Sequence, residues 1–291
     1  MNDILKLENI SKGFGRKKVL RGLDLSLDKG RVCGLLGRNG EGKTTLIRIL
    51  MGIIPADAGR IVYQGRPVAF ADAAYKRTIG YIAEDNIFYD RMTVRGLLRF
   101  NASFFPSWSR QKAEDYLNRF GLPGRDRIRT LSRGQKLKLG LVAALAASPE
   151  LLLLDDPTSG LDVPTRHDFL RNIIHEITEA GTTVLFASHM VHELEKVIDR
   201  LAILHGGRLV LDVDYEDLRS KIKKVAWTGR AAEWDKSRIN GIVSAGDTAD
   251  GCELIIYPWD EAVEKALTAA GPGPLETSVP SLEEIFTSFV G

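Results

Sequence analysis

The segment GRNGEGKTT, residues 37–45, has the residue types and spacing of a loop that holds phosphate groups. It fits G-x-x-x-x-G-K-T, follows the apolar run RVCGLLG, which predicts a buried strand, and precedes a helical pattern. The glycines let backbone N–H groups curl around phosphate oxygens, and the start of the helix adds a favourable dipole. In such a loop Lys43 would reach the β- and γ-phosphates and Thr44 would ligate Mg²⁺. The residues expected to contact the nucleotide are Gly37, Arg38, Asn39, Gly40, Glu41, Gly42, Lys43, Thr44 and Thr45.

Two aspartates, Asp155 and Asp156, directly follow four leucines at residues 151–154. The apolar run predicts a buried strand, and an acid at the end of such a strand can hold Mg²⁺ through water beside a phosphate loop. An acidic side chain at the end of a strand can simply face solvent, but the phosphate loop upstream favours a metal-binding role for Asp155. The role of Asp156 stays open at this point. A glutamate as the second acid would suit the chemistry at a phosphate site better, and the aspartate side chain is one methylene shorter.

The segment LSRGQ, residues 131–135, precedes a long helical pattern and predicts a second helix start that binds an anion. A simple helix cap would explain Ser132 on its own. The position of the segment, between a phosphate loop and an acid-ended strand, favours the anion-binding interpretation.

These segments, in this order, resemble the ATP-binding subunit of an ABC transporter over about residues 3–212. The resemblance also includes a loop at Glu84, the run SGLD at 159–162 and the run ASH that ends at His189. It implies a head-to-tail dimer with two ATP molecules and Mg²⁺ at the interface. Each ATP would be held by the phosphate loop of one subunit and the LSRGQ segment of the other. The residues that would then act on the partner's nucleotide are Ser132, Gly134 and Gln135.

The resemblance also implies roles for three further side chains. Phe14 would stack on adenine, since stacking needs an aromatic face and not the hydroxyl of the more usual tyrosine. His189 would contact the γ-phosphate and orient the attacking water, and Glu84 would sense Mg²⁺, water and the membrane partner. The implied metal ligands are Thr44, Glu84 and Asp155, and the implied catalytic residues are Asp156, His189 and Glu84.

Three positions depart from the family pattern. Glu84 stands where the family usually has glutamine, and Asp156 stands where the general-base glutamate belongs. Arg133 replaces a glycine inside the LSRGQ segment, which we expect to matter little because its neighbours supply the usual contacts. We therefore expect slow but real ATP hydrolysis.

The patterns and the resemblance together predict an α/β fold of the P-loop NTPase class. We expect an ABC-type ATPase domain at 1–214, with an antiparallel β subdomain, a helical subdomain inserted at about 90–147, and a small α+β C-terminal domain at 215–291. Further predicted features are a hairpin centred on Gln64–Gly65, helices at 164–180 and 190–198, a Gly-Pro linker at 271–274 and a capping box of Ser281 with Glu284.

Composition limits the partners. The 40 basic and 38 acidic side chains give a net charge of +2, which does not indicate nucleic-acid binding. Two cysteines, Cys33 and Cys252, cannot form a disulfide framework and fit a reducing cytosol. The longest nearly apolar stretch is far below the ~20 residues of a membrane span. We therefore expect a cytoplasmic chain that reaches the membrane face through a partner.

Two partners are expected: a second ATP-binding subunit, identical or a paralogue, and a separate transmembrane permease. The aromatic-rich stretch NIFYDRMTVRGLLRFNASFFPSW would line part of a groove for a cytoplasmic helix of the permease. The runs YDRMTV, LSRGQKLKL and SLEEIF resemble exporters of the ABC-2 type. Two alternatives stay open, a soluble ABC ATPase that is not coupled to transport and a nucleotide-binding regulatory subunit with little turnover.

Overall fold

A computed structural model describes residues 3–70, 72–85, 87–228, 239–248, 251–270 and 275–291. The strands of the ATPase domain are Asp3–Phe14 (β1), Lys17–Asp28 (β2), Val32–Leu36 (β3), Ala58–Tyr63 (β4), Arg66–Val68 (β5), Ile79–Ile82 (β6), Leu151–Asp155 (β7), Thr183–Ser188 (β8), Arg200–His205 (β9) and Arg208–Asp214 (β10). Its helices are Lys43–Leu50 (α1), Ala73–Lys76 (α2), Val94–Ala102 (α3), Arg110–Arg119 (α4), Arg133–Leu145 (α5), Val163–Asp168 (α6), His175–Glu179 (α7) and Val191–Leu194 (α8).

A six-stranded sheet in the order β10-β9-β3-β8-β7-β6 holds the site. Its neighbours pair in parallel except β9 with β10. All residues of β3, β7 and β8 are buried, as expected for parallel strands covered on both faces. One face packs on α1 and on β1 and β2, and the other packs on α5 and the α6–α7 region. The predicted α/β class and the predicted strands at 31–37 and 151–155 are confirmed.

A second sheet, in the order β2-β1-β4-β5, is antiparallel, as the alternating N-terminal pattern predicts. The turn between β4 and β5 consists of Gln64 at φ 49° and Gly65 at φ 76°. Two successive positive φ angles are typical of a type I′ turn, whose twist matches that of the flanking strands. The predicted hairpin is confirmed.

The helical block between β6 and β7 contains α3, α4, a 3₁₀ turn at Ile128–Thr130 and α5. It has an apolar core of its own, to which Val94 and Leu97 contribute from α3 and Leu139 and Val142 from α5. The opposite face of α5 packs into the core of the six-stranded sheet, so this helix connects the two parts.

Two helix predictions need correction. The segment predicted as one helix at 164–180 consists of α6, a π-helical stretch Phe169–Ile174, and α7. The helix predicted at 190–198 ends at Leu194, and the chain then turns. The turn places Ile198 against Gly34 of β3, where an added Cβ would lie 2.8 Å from Ile198 Cγ2. Packing of this apolar side chain thus outweighs the helical pattern.

The C-terminal region has strands Lys223–Thr228 (β11), Ile242–Thr248 (β12), Gly251–Ile256 (β13) and Leu275–Ser278 (β14), and helices Tyr215–Lys221 (α9), Glu261–Ala270 (α10) and Leu282–Val290 (α11). Its antiparallel sheet has the order β12-β13-β11-β14. The capping box of Ser281 with Glu284 is confirmed. The predicted Gly-Pro linker at 271–274 lies outside the described residues.

Helix α11 belongs to the core of the ATPase domain. Leu282, Ile285 and Val290 are at most 2% exposed and share one apolar cluster with Leu194 of α8 and Tyr215 of α9. The apolar cluster therefore continues across residue 214, and the domain boundary expected there stays a prediction. Within the described parts of the chain, no helix is long and apolar enough to cross a membrane.

Candidate active site

The phosphate loop joins β3 to α1 through two glycines in left-handed conformations, Gly40 at φ 84° and Gly42 at φ 113°. A Cβ on Gly42 would lie 2.9 Å from Leu20 Cδ2, so β2 also requires glycine there. Helix α1 begins at Lys43, so the N–H groups of its first turn, which have no partner within the helix, point into the loop.

Lys43 lies buried at the mouth of this loop. Its Nζ donates to the carbonyl oxygens of Gly37, at 2.7 Å, and Arg38, at 3.4 Å. Burial lowers the pKa of Lys43, while the nearby carboxylates of Asp156 and Asp155 oppose that shift. An ammonium group held here is placed to compensate phosphate charge.

Thr44 and Asp155 meet across the site. Thr44 Oγ1 donates to Asp155 Oδ1 at 3.0 Å, which ties the start of α1 to the end of β7. Burial raises the pKa of Asp155, and the hydrogen bond from Thr44 opposes that rise. A hydroxyl and a carboxylate are oxygen ligands of the kind Mg²⁺ takes, and Mg²⁺ usually keeps waters and substrate phosphates as its other ligands. These two residues therefore fit the expected metal.

Asp156 lies one residue further on and faces a different partner. Its Oδ1 accepts from Ser188 Oγ at 3.1 Å, from the backbone N–H of His189 at 3.2 Å and from His189 Nδ1 at 2.9 Å. Its backbone has φ 47°, a left-handed conformation that aspartate tolerates better than most residues. An ionised carboxylate only accepts, so it fixes the Nδ1–H tautomer of His189 and leaves Nε2 for another partner.

Glu84 follows β6 and lies on the other side of the acid pair. It is exposed, and its Oε1 accepts from Ser159 Oγ at 3.3 Å. Its charge contributes to the raised pKa of Asp155. The structure thus brings Glu84, Asp155 and Asp156 to one edge of the sheet, each with a different hydrogen-bond donor.

The LSRGQ segment forms the start of α5. Ser132 and Gln135 make a reciprocal capping box, and Gly134 lies so close to α6 that a Cβ would approach Thr165 Cγ2 to 2.9 Å. Among the described residues, no hydrogen bond or ion pair joins this segment to the chain's own phosphate loop. This agrees with the implied role of the segment, which is to contact the nucleotide bound by a second chain.

Phe14 lies near the turn of the β1–β2 hairpin, 52% exposed. Lys12 Nζ is 5.5 Å from the centre of its ring. The same hairpin reaches the phosphate loop, because Leu20 of β2 contacts Gly42. An exposed ring on this hairpin suits stacking against a base.

Comparisons with known proteins agree on one family. A family model described as ABC transporter matches residues 20–159. The uncharacterized ABC transporter ATP-binding protein YhaQ of Bacillus subtilis (strain 168) is 31% identical over 300 residues, which cover 99% of this chain and 99% of that protein. The bacitracin transport ATP-binding protein BcrA of Bacillus licheniformis is 34% identical over 77% of this chain and 74% of its own length. A solved ATP binding subunit of an ABC transporter superposes with a TM-score of 0.67, at 28% identity over 75% of this chain and 92% of that chain.

The chain belongs to the ABC transporter ATP-binding family. Its fold is therefore that of an ABC ATPase domain, as the resemblance implies, and ATP is the nucleotide that the family binds. Coverage of YhaQ over nearly its whole length includes the C-terminal region as well as the ATPase domain.

Two contacts of this ABC ATPase domain were missed by the sequence interpretation. Glu41, which was expected to contact the nucleotide, accepts from the N–H of Gly206 at 2.7 Å and lies 3.2 Å from His205 Nδ1. It ties the phosphate loop to the β9–β10 turn. A carboxylate inside an anion-binding loop was the available signal, because it needs a partner elsewhere.

The second missed contact concerns Arg133. Its guanidinium is 3.7 Å from Asp85 and lies over Gly160, where a Cβ would lie 2.4 Å from Arg133 Nη1. Arg133 thus links the LSRGQ segment to the loops that carry Glu84 and Ser159. The expectation that this substitution matters little considered only nucleotide contacts.

Proposed function

We propose that the chain binds and hydrolyses ATP with Mg²⁺ in a dimer and drives a separate transmembrane permease that acts as an exporter. The observation that carries the proposal is the Thr44–Asp155 contact at 3.0 Å beside a complete phosphate loop, to which the LSRGQ segment makes no hydrogen bond among the described residues. One chain thus offers half of two sites, which two head-to-tail chains complete.

The residues of the site divide the work. The loop N–H groups and Lys43 bind the phosphates, and Thr44 and Asp155 would hold Mg²⁺, which would supply charge compensation for the transferred phosphoryl group. His189, oriented by Asp156, contacts the γ-phosphate and positions water. Asp156 accepts the proton, and Glu84 adds a second carboxylate at the same sheet edge.

A groove of about 540 Å³ supports the membrane partner. It lies between the sheet and the helical block, and its lining is mainly apolar, with Tyr81, Phe88, Phe104 and Phe105 among the wall residues. An apolar groove of this kind suits the insertion of a partner's helix. The exporter direction rests on the likeness of the runs YDRMTV, LSRGQKLKL and SLEEIF to exporters of the ABC-2 type, and one similar protein is named for bacitracin transport.

One observation favours a second candidate, a regulatory subunit with little turnover. Oδ1 of Asp156 already accepts three hydrogen bonds from Ser188 and His189, which leaves only Oδ2 to take a proton from water. Steady-state ATPase measurement on the purified chain separates the two, because turnover that disappears with Lys43→Ala supports the motor subunit.

The permease itself is tested by a pull-down. The tagged chain is recovered from detergent-solubilised membranes of its own source. A polytopic membrane protein recovered with the wild type supports coupling, and a variant with Phe104→Glu in the groove should lose it. Recovery of only soluble proteins would favour the soluble ABC ATPase.

A further inference from the structure

The helical block has a strong positive charge that is not evident from the nearly neutral net charge of the whole chain. Residues 91–138 contain 12 Lys and Arg and 3 Asp and Glu, a net charge of +9. The remaining residues contain 28 basic and 35 acidic side chains, a net charge of −7. The net +2 of the chain is therefore a strong separation of charge, which orients a protein toward a negative surface.

A short backbone ladder concentrates this charge. Residues 90–95 run antiparallel to residues 124–129, and Thr93 pairs with Arg127. The ladder hydrogen bonds are Arg95 N to Gly124 O at 3.0 Å, Val94 N to Asp126 O at 3.0 Å, Ile128 N to Met92 O at 3.0 Å and Arg129 N to Asp90 O at 3.2 Å. Val94 and Ile128 are fully buried beneath it. Four exposed arginines, which we call the basic ladder, are Arg91, Arg125, Arg127 and Arg129.

The basic ladder has no acidic partner among the described residues. Other cations of the block do, since Arg95 pairs with Glu114 at 2.8 Å and Lys138 with Asp168 at 3.4 Å. Among the described residues, none of the four ladder side chains makes a hydrogen bond or an ion pair. Four like charges held together without compensation disfavour the isolated chain and are relieved by an anionic partner.

An exposed aromatic row starts beside the ladder. Tyr89, Phe100 and Phe104 are 63%, 40% and 55% exposed. Their ring centres are 6.0 Å and 5.1 Å apart, with interplanar angles of 86° and 74°. Rings that pack edge to face do not offer parallel faces to successive bases, which argues against single-stranded nucleic acid. Aromatic rings next to arginines are typical of the membrane interface.

We propose that the basic ladder and the aromatic row bind directly to a membrane surface containing anionic phospholipids, through the headgroup phosphates. This contact adjoins the groove for the permease, with which it shares Phe104, and is separate from the nucleotide site. It would hold the helical block at the membrane plane, while the rest of the chain, with its net charge of −7, is not attracted to an anionic surface. Each arginine near such a surface strengthens binding roughly fivefold, and salt screens the effect.

Vesicle flotation of the full chain tests the proposal. The probes are vesicles of phosphatidylcholine alone and of phosphatidylcholine mixed with an equal part of phosphatidylglycerol. Wild type should bind only the anionic vesicles and should be released by salt. Arg91→Gln with Arg125→Gln and Arg127→Gln should lower the partition coefficient by roughly 100-fold.

A matched triple variant controls for net charge. Arg66→Gln, Arg208→Gln and Lys265→Gln remove three exposed charges outside the block and should keep vesicle binding near wild type. Circular dichroism and ATP binding check the fold of both variants. A Tyr89→Ser variant, which leaves every charge in place, should also weaken vesicle binding.

Three results would overturn the proposal. The first is equal binding of the wild type to both vesicle types, and the second is an equal loss of vesicle binding in both triple variants. The third is vesicle binding at the wild-type level by both the Tyr89→Ser variant and the ladder triple variant. Binding of an RNA oligonucleotide or an acidic peptide, but not of anionic vesicles, would assign the ladder to that other partner.

Discussion

Asp156→Asn is the substitution that tests the chemistry of the site most sharply. Asparagine has nearly the same shape and tolerates the left-handed backbone at φ 47° almost as well as aspartate. Its amide oxygen can still accept from Ser188 Oγ and from the N–H of His189. The substitution therefore removes the charge and the basicity while it preserves the turn.

The size of the effect follows from the role assigned to the carboxylate. A positioned general base contributes about 10²- to 10⁴-fold to the rate, so kcat of Asp156→Asn should fall by at least ~10²-fold. Asp156→Glu extends the side chain by about 1.5 Å, one C–C bond. Because a misplacement of ~1 Å can cost ~10²-fold, a glutamate that reaches the water should match or exceed wild type. Its left-handed backbone should lower the free energy of unfolding by about 1 kcal/mol.

The assay is steady-state ATP hydrolysis at saturating ATP, with His189→Gln and Glu84→Gln measured alongside. Wild-type turnover by Asp156→Asn would refute the assignment of Asp156 as the catalytic acid. If Glu84→Gln then lost the activity that Asp156→Asn kept, the second carboxylate at the sheet edge would be the base.

Four further predictions concern binding and stability. Lys43→Ala should abolish tight ATP binding, because its ammonium group compensates phosphate charge, and wild-type affinity by calorimetry would contradict the loop assignment. Ile285→Ala should cost ~2–5 kcal/mol of unfolding free energy, since Ile285 is fully buried in the core shared with α8, yet leave the ATP Kd of the folded protein unchanged. A folded chain that ends at Leu211 should also keep ATP binding, and a loss of binding would show that the C-terminal region serves the nucleotide site. Lys224, 2.7 Å away, and Ser281 lower the pKa of Glu284 to about 2, so this contact stabilises the fold above pH ~4.5 and its contribution disappears as pH falls toward about 2. Urea unfolding should show the difference between Glu284→Gln and wild type shrinking over that interval, modestly because Glu284 is 40% exposed, and a difference independent of pH would contradict it.

Local patterns in the sequence were sufficient for the elements that carry the site. The run LLLLD and the glycine-rich loop fold as predicted, because burial on both faces and the positive φ of Gly42 leave those residues few alternatives. The π-helical stretch Phe169–Ile174 was not predictable, since the helical pattern at 164–180 does not distinguish α-helical from π-helical hydrogen bonding.

The side-chain partners of the site depended on tertiary contacts. Glu41 meets Gly206, which is 165 residues away in the chain, and Asp156 meets His189 across neighbouring strands. No spacing rule predicts such pairs. The Arg133 contact with Asp85 was missed for the same reason, although the unusual residue marked the position.

Light scattering of the Asp156→Asn variant with ATP and Mg²⁺ tests the central claim most directly, that two chains enclose the nucleotide between a phosphate loop and an LSRGQ segment. With hydrolysis blocked, the mass should be twice that of the monomer, and Ser132→Arg should return it to the monomer without loss of ATP binding. The measurement is repeated with any ATP-binding paralogue that co-purifies with the chain. A monomer mass at every protein concentration, with ATP demonstrably bound and with that paralogue added, would contradict the claim.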